Sequence, residues 1–419
     1  MLEEIAGFKI NITTNKQEYL SYEGPSVNYS FETLKQNEVF VEPNGLLFQS
    51  SITALRAIID KQNDESYLYL EGDVVDKNIF DPFAAAFYLV SRYEEYLSFA
   101  PDEFGRFEAK SSVLFRHDLL ELPLVDKWSL TLQKRVQSVF PRIETRVRKF
   151  SQVVTIDIDQ AYAFQHRGVK KNSISFVKNL VQRKTELLKT QVDLIINKAK
   201  DPYDSYQYLQ GIQNETAIPF IYFVNIGVYS KYDKNLSPSN LAFKRLLNEI
   251  NSYATVGLHP SYFSNDADLM LINEKNQLEK ILDGTVKKSR QHYLKLIFPN
   301  TYRNLIEIGI EEDYTMGFAS YPGFRAGTCT PFFWFDLEKN SVTGLKVFPT
   351  TYMDGTFIED LNLTPHEADK KISSLTETVK KYNGCYISIW HNHTVSNQLY
   401  WKNWRAVFEN SLKKLKEYS

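Results

Sequence analysis

Short β-branched runs alternate with helical stretches from Val153 onward, and this alternation is the feature that most constrains the fold. It is typical of βα units, in which helices cover parallel strands. A long amphipathic helix is predicted at about 273–288. The predicted strands are 153–158, 218–224, 254–259, 314–319, 345–350 and 385–390. This order indicates a barrel or a doubly wound sheet, and both folds collect chemistry at the carboxyl ends of their strands.

The first of these strands ends in two carboxylates, Asp157 and Asp159. Residues two apart on a strand share a face, so both side chains are expected to point the same way. Two carboxylates held close together repel each other unless a cation neutralises them. The pair therefore indicates a metal site, a proton-transfer role, or both. The alternative is a polar strand end that caps the following helix.

Histidines follow two other predicted strands. His259 ends the third strand, and His391 and His393 follow the last, although the chain has only 7 His. Carboxyl ends of parallel strands meet at one edge of a sheet, so these imidazoles are expected to converge with the two carboxylates. For each histidine the alternative is a hydrogen-bonded structural role.

Residues 1–148 carry a different pattern and are interpreted as a smaller α+β domain of unknown role, preceding an α/β domain at 149–419. Alternating runs at 8–12 and 66–70 predict strands. Two helices are predicted, one beginning at Asp81-Pro82 and one around 125–136. Along the first helix the apolar stripe is assigned to Phe83, Phe87, Val90 and Leu97. The residues assigned to its water-facing side are Arg92, Glu94 and Glu95.

The composition excludes several classes of protein. Of the 419 residues, Lys+Arg number 49 and Asp+Glu 51, so the net charge of -2 provides no electrostatic footprint for nucleic acid. Two cysteines, Cys329 and Cys385, cannot form a disulfide framework or a thiolate metal cage. The first residues include acids where a signal peptide has lysines, and no apolar run is long enough to span a bilayer. A cytoplasmic protein is therefore expected.

Four motifs occur in a specific order along the chain. They are TIDID at 155–159, IPFIYFVNIG at 218–227, GLHPSYF at 257–263 and ISIWH at 387–391. Over about 150–400 this order resembles the polysaccharide deacetylases of the NodB homology type, carbohydrate esterase family 4. The sequence looks closest to a divergent branch with an extra N-terminal domain. The resemblance implies a distorted (β/α) barrel and a carbohydrate substrate.

The resemblance also implies roles for the residues in these motifs. Asp157 corresponds to the catalytic base of the family, Asp159 and His259 to ligands of a divalent cation, and His391 to the catalytic acid. Zinc is the expected ion, because it suits a site of oxygen and nitrogen ligands. The family places its two acids side by side, whereas Ile158 separates them here.

One departure from the family pattern leaves the metal site incomplete. Phe263 lies where the second histidine ligand of the family would fall, and a cation site with open positions needs three protein ligands. Asp266 or His292 could replace the missing ligand. His292 occurs in the run SRQHY at 289–293, which maps onto the arginine motif of the family. Arg290 is therefore assigned as the arginine that orients Asp157.

Further residues are assigned to substrate binding. Arg325, flanked by Gly323 and Gly327, is a candidate partner for an acid group on a sugar, although it could instead pair with Asp157. The other substrate-binding candidates are Tyr262, Trp390 and His393. Asp354 precedes Gly355, and an Asp-Gly turn is the favoured interpretation there.

The sequence therefore predicts a metal-dependent hydrolase that removes an N- or O-linked acetyl group from a sugar or glycan. One alternative is a non-catalytic carbohydrate-binding or assembly protein with a degenerate barrel, which the missing ligand at Phe263 motivates. Another is a metal-dependent hydrolase that acts on a different amide.

Overall fold

The computed structural model describes residues 1–197 and 199–418. The α-helices among these residues are α1 (Lys16–Ser21), α2 (Pro82–Val90), α3 (Val113–Arg116), α4 (Leu124–Val139), α5 (Val169–Val181), α6 (Thr185–Ile196), α7 (Tyr206–Thr216), α8 (Leu241–Asn251), α9 (Asp268–Leu282), α10 (Asn300–Glu307), α11 (Pro365–Lys381) and α12 (Trp404–Lys416). None of the described helices combines the length and apolarity needed to cross a bilayer.

The strands of residues 1–197 and 199–418 form one large sheet and two small ones. The strands are β1 (Val27–Tyr29), β2 (Val39–Val41), β3 (Arg56–Gln62), β4 (Glu65–Glu71), β5 (Ser151–Ile158), β6 (Phe220–Asn225), β7 (Thr255–His259), β8 (Lys288–Ser289), β9 (Glu312–Asp313), β10 (Phe332–Asp336), β11 (Ser341–Val347), β12 (Tyr352–Met353) and β13 (Cys385–His391). The order in the large sheet is β10-β11-β9-β8-β7-β6-β5-β13-β12. Neighbouring strands in it are parallel, except that β10 and β11 are antiparallel.

The centre of the large sheet is buried on both faces. Every residue of β6 is buried, and β5 is buried from Val154 to its end. Strands buried along most of their length are expected where helices cover both faces of a parallel sheet. The register sets Asp157 on β5 opposite His391 on β13, and Asn225 on β6 opposite His259 on β7. The carboxyl ends of β7, β6, β5 and β13 therefore follow one another along one edge of the sheet.

The predicted α/β class with a large parallel sheet is confirmed. Five of the six predicted strands overlap observed ones, and the predicted helix at 273–288 overlaps α9. The strand predicted at 314–319 is wrong, because regular pairing there stops at Asp313 and the chain turns through Gly317. The described strands pair in a row with β10 and β12 at its two ends, and a closed barrel stays a prediction.

The N-terminal region contains part of what its sequence pattern predicts. The run 66–70 lies within β4, whereas 8–12 forms no strand. Asp81 caps α2 by accepting hydrogen bonds from the backbone N–H groups of Phe83 and Ala84, as predicted. The second predicted helix lies within α4. The division into domains at 148/149 stays a prediction.

The polar side assigned to the first helix is wrong. Arg92, Glu94 and Glu95 are buried rather than facing water. Arg92 pairs with both glutamates, and Glu95 accepts a second hydrogen bond from Arg325 Nε at 2.9 Å. Arg325 itself is 1 % exposed. Charges buried to this degree are kept by mutual pairing, so an ion-pair network joins the N-terminal region to the segment after β9.

Candidate active site

A buried ion pair lies at the carboxyl end of β5. Arg290 follows β8 and donates from Nη1 to Asp157 Oδ1 at 2.8 Å. The same nitrogen donates to Thr155 Oγ1, and Nε donates to the carbonyl of Tyr314 at 3.0 Å. The Arg290 guanidinium also stacks on the ring of Phe223, 4.6 Å from its centroid. These contacts fix the carboxylate of Asp157, which is 2 % exposed.

Asp159, His259 and His292 face one another beside this pair. Asp159 Oδ1 lies 3.1 Å from His259 Nε2, and Oδ2 lies 3.6 Å from His292 Nε2. One ligand atom from each residue can be chosen such that all of them lie within 4.8 Å of one another. Both histidines are buried, whereas Asp159 is 18 % exposed. The third member of this cluster thus comes from the loop after β8, not from the segment that follows His259.

The hydrogen bonds of the two histidines determine which ring nitrogen is available. His259 Nδ1 lies against the backbone carbonyl of Arg290, and a carbonyl can only accept. His292 Nδ1 lies 2.9 Å from Asp233 Oδ1, which also accepts from Asn225. Each Nδ1 is therefore the donor, and the Nε2 of the neutral ring carries a lone pair toward Asp159.

This donor set fits a divalent cation. Oδ1 of Asp159 is buried and makes no hydrogen bond of acceptable geometry with the described residues, although His259 Nε2 is close to it. An acceptor that faces another acceptor is stabilised by a proton or a cation between them. Two imidazoles and a carboxylate are a common ligand set for zinc, and the Nδ1 anchors are the outer partners such ligands use.

The electrostatics of the cluster favour positive charge. Burial lowers the pKa of His292, but the carboxylates of Asp159 and Asp233 outweigh it and raise that pKa to about 9. Burial works to raise the pKa of Asp159, but the positive charge of His292 holds it well below its ordinary value. The carboxylates at this edge of the sheet therefore stabilise positive charge on the cluster.

His391 lies on the other side of Asp159 and is held by a second aspartate. Its Nε2 is 3.5 Å from Asp159 Oδ2, and its Nδ1 is 2.7 Å from Asp354 Oδ1. Asp354 also accepts from the backbone N–H of His391 at 2.8 Å and from Thr394 Oγ1. Burial lowers the pKa of His391, but the carboxylate of Asp354 raises it to about 10. Asp354, assigned above to a turn, is thus the partner of this imidazole.

His393 lies next to His391 in an aromatic setting. Its ring centroid is 5.2 Å from those of Tyr203, Trp401 and His391. Burial lowers the pKa of His393 to about 4, and its Nδ1 has no hydrogen-bond partner among the described residues. His393 is therefore a neutral imidazole at the rim of the site.

Aromatic rings form a rim beside His292. Tyr262 stacks on Tyr232 with centroids 4.0 Å apart, and Tyr293 lies 4.4 Å from the ring of His292. Phe104, from the N-terminal region, stacks on Tyr293 at 4.9 Å. Arg106 donates to the Tyr293 carbonyl at 2.6 Å and thereby fixes this contact. The N-terminal region therefore contributes to the rim.

Three residues considered from the sequence for substrate or metal binding lie away from the site. Trp390 is 0 % exposed and packs on Phe408 and Tyr352 in the core, because alternate residues of β13 face opposite sides of the sheet. The prediction that it binds substrate is wrong. Arg325 is paired with Glu95 and reaches neither solvent nor Asp157, so both roles considered for it are wrong. Asp266, which is 55% exposed, pairs with the buried Lys295 and does not join the cluster of Asp159, His259 and His292.

Asp233 was not identified from the sequence. It follows β6 in a loop that has no recognisable motif, and nothing nearby in sequence indicates that it will face His292. A signal existed for Asp354, since this acid lies four residues beyond the predicted strand 345–350, but the adjacent glycine favoured a turn. The tertiary fold brings Asp233 to His292 across 59 residues and Asp354 to His391 across 37.

Comparisons with known proteins give a partial picture. A family of unknown function, DUF7033, matches residues 1–141. No curated protein matches the chain at the sequence level.

Several solved structures are similar over a larger part of the chain. A putative polysaccharide deacetylase from Mycobacterium smegmatis is 13% identical with a TM-score of 0.43, covering 65% of this chain and 86% of its own. A polysaccharide deacetylase from Bacillus cereus is also 13% identical, with a TM-score of 0.32 and coverages of 64% and 88%. PuuE allantoinase is 9% identical, with a TM-score of 0.40 and coverages of 65% and 85%. At these identities and TM-scores the likeness is distant.

Proposed function

We propose that this chain is a metal-dependent hydrolase that removes an N- or O-linked acetyl group from a sugar or glycan. The observation that carries the proposal is the convergence of three units at one edge of the sheet. They are an arginine-paired carboxylate, an Asp-His-His ligand set and an aspartate-paired histidine. A base, a cation site and an acid are the groups that amide or ester hydrolysis requires. The distorted (β/α) barrel and a zinc ion belong to this proposal.

Asp159, His259 and His292 would hold the cation. A divalent cation supplies Lewis-acid polarisation of a carbonyl group and makes water more acidic. Asp233 keeps the ring of His292 in the tautomer that presents Nε2, and the Arg290 carbonyl does the same for His259. These outer contacts orient both imidazoles before a cation binds.

Asp157 is the proposed base. It lies beside the ligand set, with Oδ2 3.8 Å from His259 Nε2, while Oδ1 is occupied by Arg290. One carboxylate oxygen therefore remains to accept the proton of the attacking water. Arg290 positions that oxygen by holding the other, and its planar guanidinium is rigidly fixed by Tyr314 and Phe223.

His391 is the proposed acid. The carboxylate of Asp354 keeps its imidazole protonated at neutral pH, so Nε2 has a proton to donate to the leaving amine or alcohol. Asp354 is fixed in turn by Thr394 and by the backbone of His391. Asp157 and His391, register partners on adjacent strands, thus take the opposite proton-transfer roles.

The carbohydrate part of the proposal is supported by the motif order of the sequence and by the aromatic rim. Tyr262, Tyr232, Tyr293 and Phe104 present ring faces and edges next to the ligand set, and such surfaces suit the apolar face of a sugar ring. Tyr262 in this rim and His393 next to His391 are the proposed substrate contacts.

The test is acetate release from N- and O-acetylated sugars by purified protein, with and without a chelator. Release is expected to stop on chelation and to return on addition of zinc. Asp157→Asn is expected to lower it about 10²–10⁴-fold, whereas Asp266→Asn, which alters an ion pair outside the site, is expected to keep it. Undiminished release after chelation or in Asp157→Asn would refute the mechanism.

The same preparation distinguishes the alternatives. Metal content measured by mass spectrometry after purification and after dialysis against zinc is expected to approach one ion per chain. A protein that holds no ion under either condition would favour the alternative of a non-catalytic carbohydrate-binding or assembly protein. Hydrolysis of amides that lack a sugar, without release from any acetylated sugar, would overturn the substrate class but keep the hydrolase.

A further inference from the structure

We propose that helices α5 and α6 dock this chain on the surface of an anionic lipid bilayer. The two helices form a hairpin inserted between β5 and α7, joined by the short turn 182–184. The proposal concerns lipid binding alone, and it does not depend on the hydrolase activity proposed above.

The hairpin exposes its apolar side chains and buries polar ones. Among its described side chains, only Asn179 and Gln191 are buried, and Asn179 Nδ2 donates to Gln191 Oε1 at 3.1 Å between the helices. The large apolar side chains exposed on the hairpin are Val169, Ile174, Phe176, Val177, Leu180, Val181, Val192, Ile195 and Ile196. A hairpin packed for water has the reverse arrangement. A dense apolar surface of this kind marks an interaction site.

The spacing of these side chains gives α5 one broad apolar face. Ile174, Val177 and Val181 are three, four and seven residues apart, so they share one side of the helix. Val169, Phe176 and Leu180 lie on the adjoining strip at intervals of seven, four and eleven. Asn179 is on the opposite side, against α6. The apolar face is thus continuous along α5 and points away from the rest of the chain.

The net charge of residues 167–197 indicates what kind of surface the hairpin binds. Residues 167–197 contain seven Lys and Arg against two Asp and Glu, a local net charge of +5 on a chain whose total is -2. Basic residues around an exposed apolar helix face are the composition of helices that lie in the interface of an anionic membrane. Two copies of the same +5 surface would repel each other, so self-association through this face is disfavoured.

The apolar and basic surface continues onto the neighbouring loop between β6 and α8. Val228 and Tyr229 are exposed there, and the ammonium group of Lys171 on α5 lies 4.1 Å from the Tyr229 ring centroid. Arg167, at the base of the hairpin, donates to the carbonyl of Lys234 in this loop at 2.7 Å. The docking surface therefore comprises α5, α6 and residues 228–234.

The base of the hairpin is attached to the edge of the sheet that carries the candidate site. Asp201 accepts from the backbone N–H groups of Ala163, Phe164 and Gln165 at 2.8 to 2.9 Å and so closes the insertion. Tyr203, two residues later, packs on His393. A hairpin bound at a bilayer would consequently hold this edge of the sheet close to the lipid surface.

The experiment is co-sedimentation of the full chain with vesicles of phosphatidylcholine alone and of phosphatidylcholine mixed with phosphatidylglycerol. Binding to the anionic vesicles only is expected, and it should weaken at high salt because the ionic part is screened. The triple variant Val181→Ser, Ile195→Ser, Ile196→Ser is expected to bind about a thousandfold more weakly, since each inserted side chain contributes about tenfold.

Matched variants make the test specific. Ile12→Ser, Leu269→Ser, Val342→Ser removes three equally exposed apolar side chains outside the hairpin and is expected to bind like the parent. Arg183→Gln, Lys184→Gln is expected to bind about 25-fold more weakly, from about fivefold per basic residue. Circular dichroism spectra that match the parent establish that each variant is folded.

Three results would overturn the proposal. One is absence of binding to anionic vesicles by the parent chain. Another is an equal loss of binding in the control triple variant. The last is a concentration-dependent dimer in sedimentation velocity that the Val181, Ile195 and Ile196 substitutions abolish, which would show that a second copy covers this face.

Discussion

Replacement of His292 by alanine is the sharpest test of the metal site, because the sequence left its third ligand open between His292 and Asp266. The structure sets His292 Nε2 3.6 Å from Asp159 Oδ2, whereas Asp266 pairs with Lys295 at 2.6 Å and is 55% exposed. We therefore expect His292→Ala to lose zinc affinity and Asp266→Asn to keep it within about twofold, because Asp266 lies outside the cluster of Asp159, His259 and His292.

The size of the effect follows from the contacts of His292. Loss of an outer partner of a metal ligand costs about 10–100-fold in affinity. Loss of the ligand itself should exceed this range, so His292→Ala is expected to weaken zinc binding at least about 100-fold, or about 2.7 kcal/mol. Asp233→Asn keeps an acceptor for His292 Nδ1 but removes its charge, and about tenfold is expected.

The assay is competition for zinc between the metal-free protein and a chromophoric chelator. It is run at one fixed pH because protons compete with the cation for both imidazoles. Circular dichroism of each metal-free variant controls for folding. Parental affinity in His292→Ala, or a large loss in Asp266→Asn, would show that the ligand set is assigned wrongly.

Three further predictions concern the base and the buried ion pairs. Asp157→Asn is expected to lower kcat about 10²–10⁴-fold while zinc affinity stays within about threefold, and a parallel loss of both would contradict a role as base. Glu95→Gln leaves two buried arginines with one carboxylate fewer, so about 3–5 kcal/mol of unfolding free energy should be lost in urea titrations. The control Glu121→Gln, in a partly exposed pair with Lys371, should lose less than about 1 kcal/mol. Burial works to raise the pKa of Glu95, but Arg325 and Arg92 lower it, so its stabilisation is fully present above about pH 4.3 and is lost as pH falls further. Glu95→Gln should therefore show a weaker acid dependence of stability, and an unchanged dependence would contradict this.

Several features of the fold could be predicted because local pattern determines them. β-branched runs gave strands near the predicted positions for β5, β6, β7 and β13, and an acid before a proline gave the cap of α2. The two-residue spacing of Asp157 and Asp159 gave two carboxylates at the end of one strand. The short strands β8 and β9 were missed, since two residues carry no periodic signal.

Charged residues near a glycine or on a helix were harder to interpret. Arg325 lies between Gly323 and Gly327, a setting that indicated ligand binding in the sequence. It is instead buried against Glu95 from the N-terminal region. Arg92 and Glu95, which follow the end of α2, were assigned to water for the same reason. A buried charge looks the same in a sequence as a solvated one, because its partner lies 230 residues away.

The sequence by itself determined the α/β class, the strands that carry Asp157 and His391, and the residue types available for a metal and for proton transfer. Only the tertiary structure decided that His292 joins Asp159 and His259, that Asp233 and Asp354 hold the imidazoles, and that Trp390 lies in the core. Periodicity is a property of neighbouring residues and is written along the chain. Which loops meet at the edge of a sheet depends on how distant segments pack, and no local pattern records it.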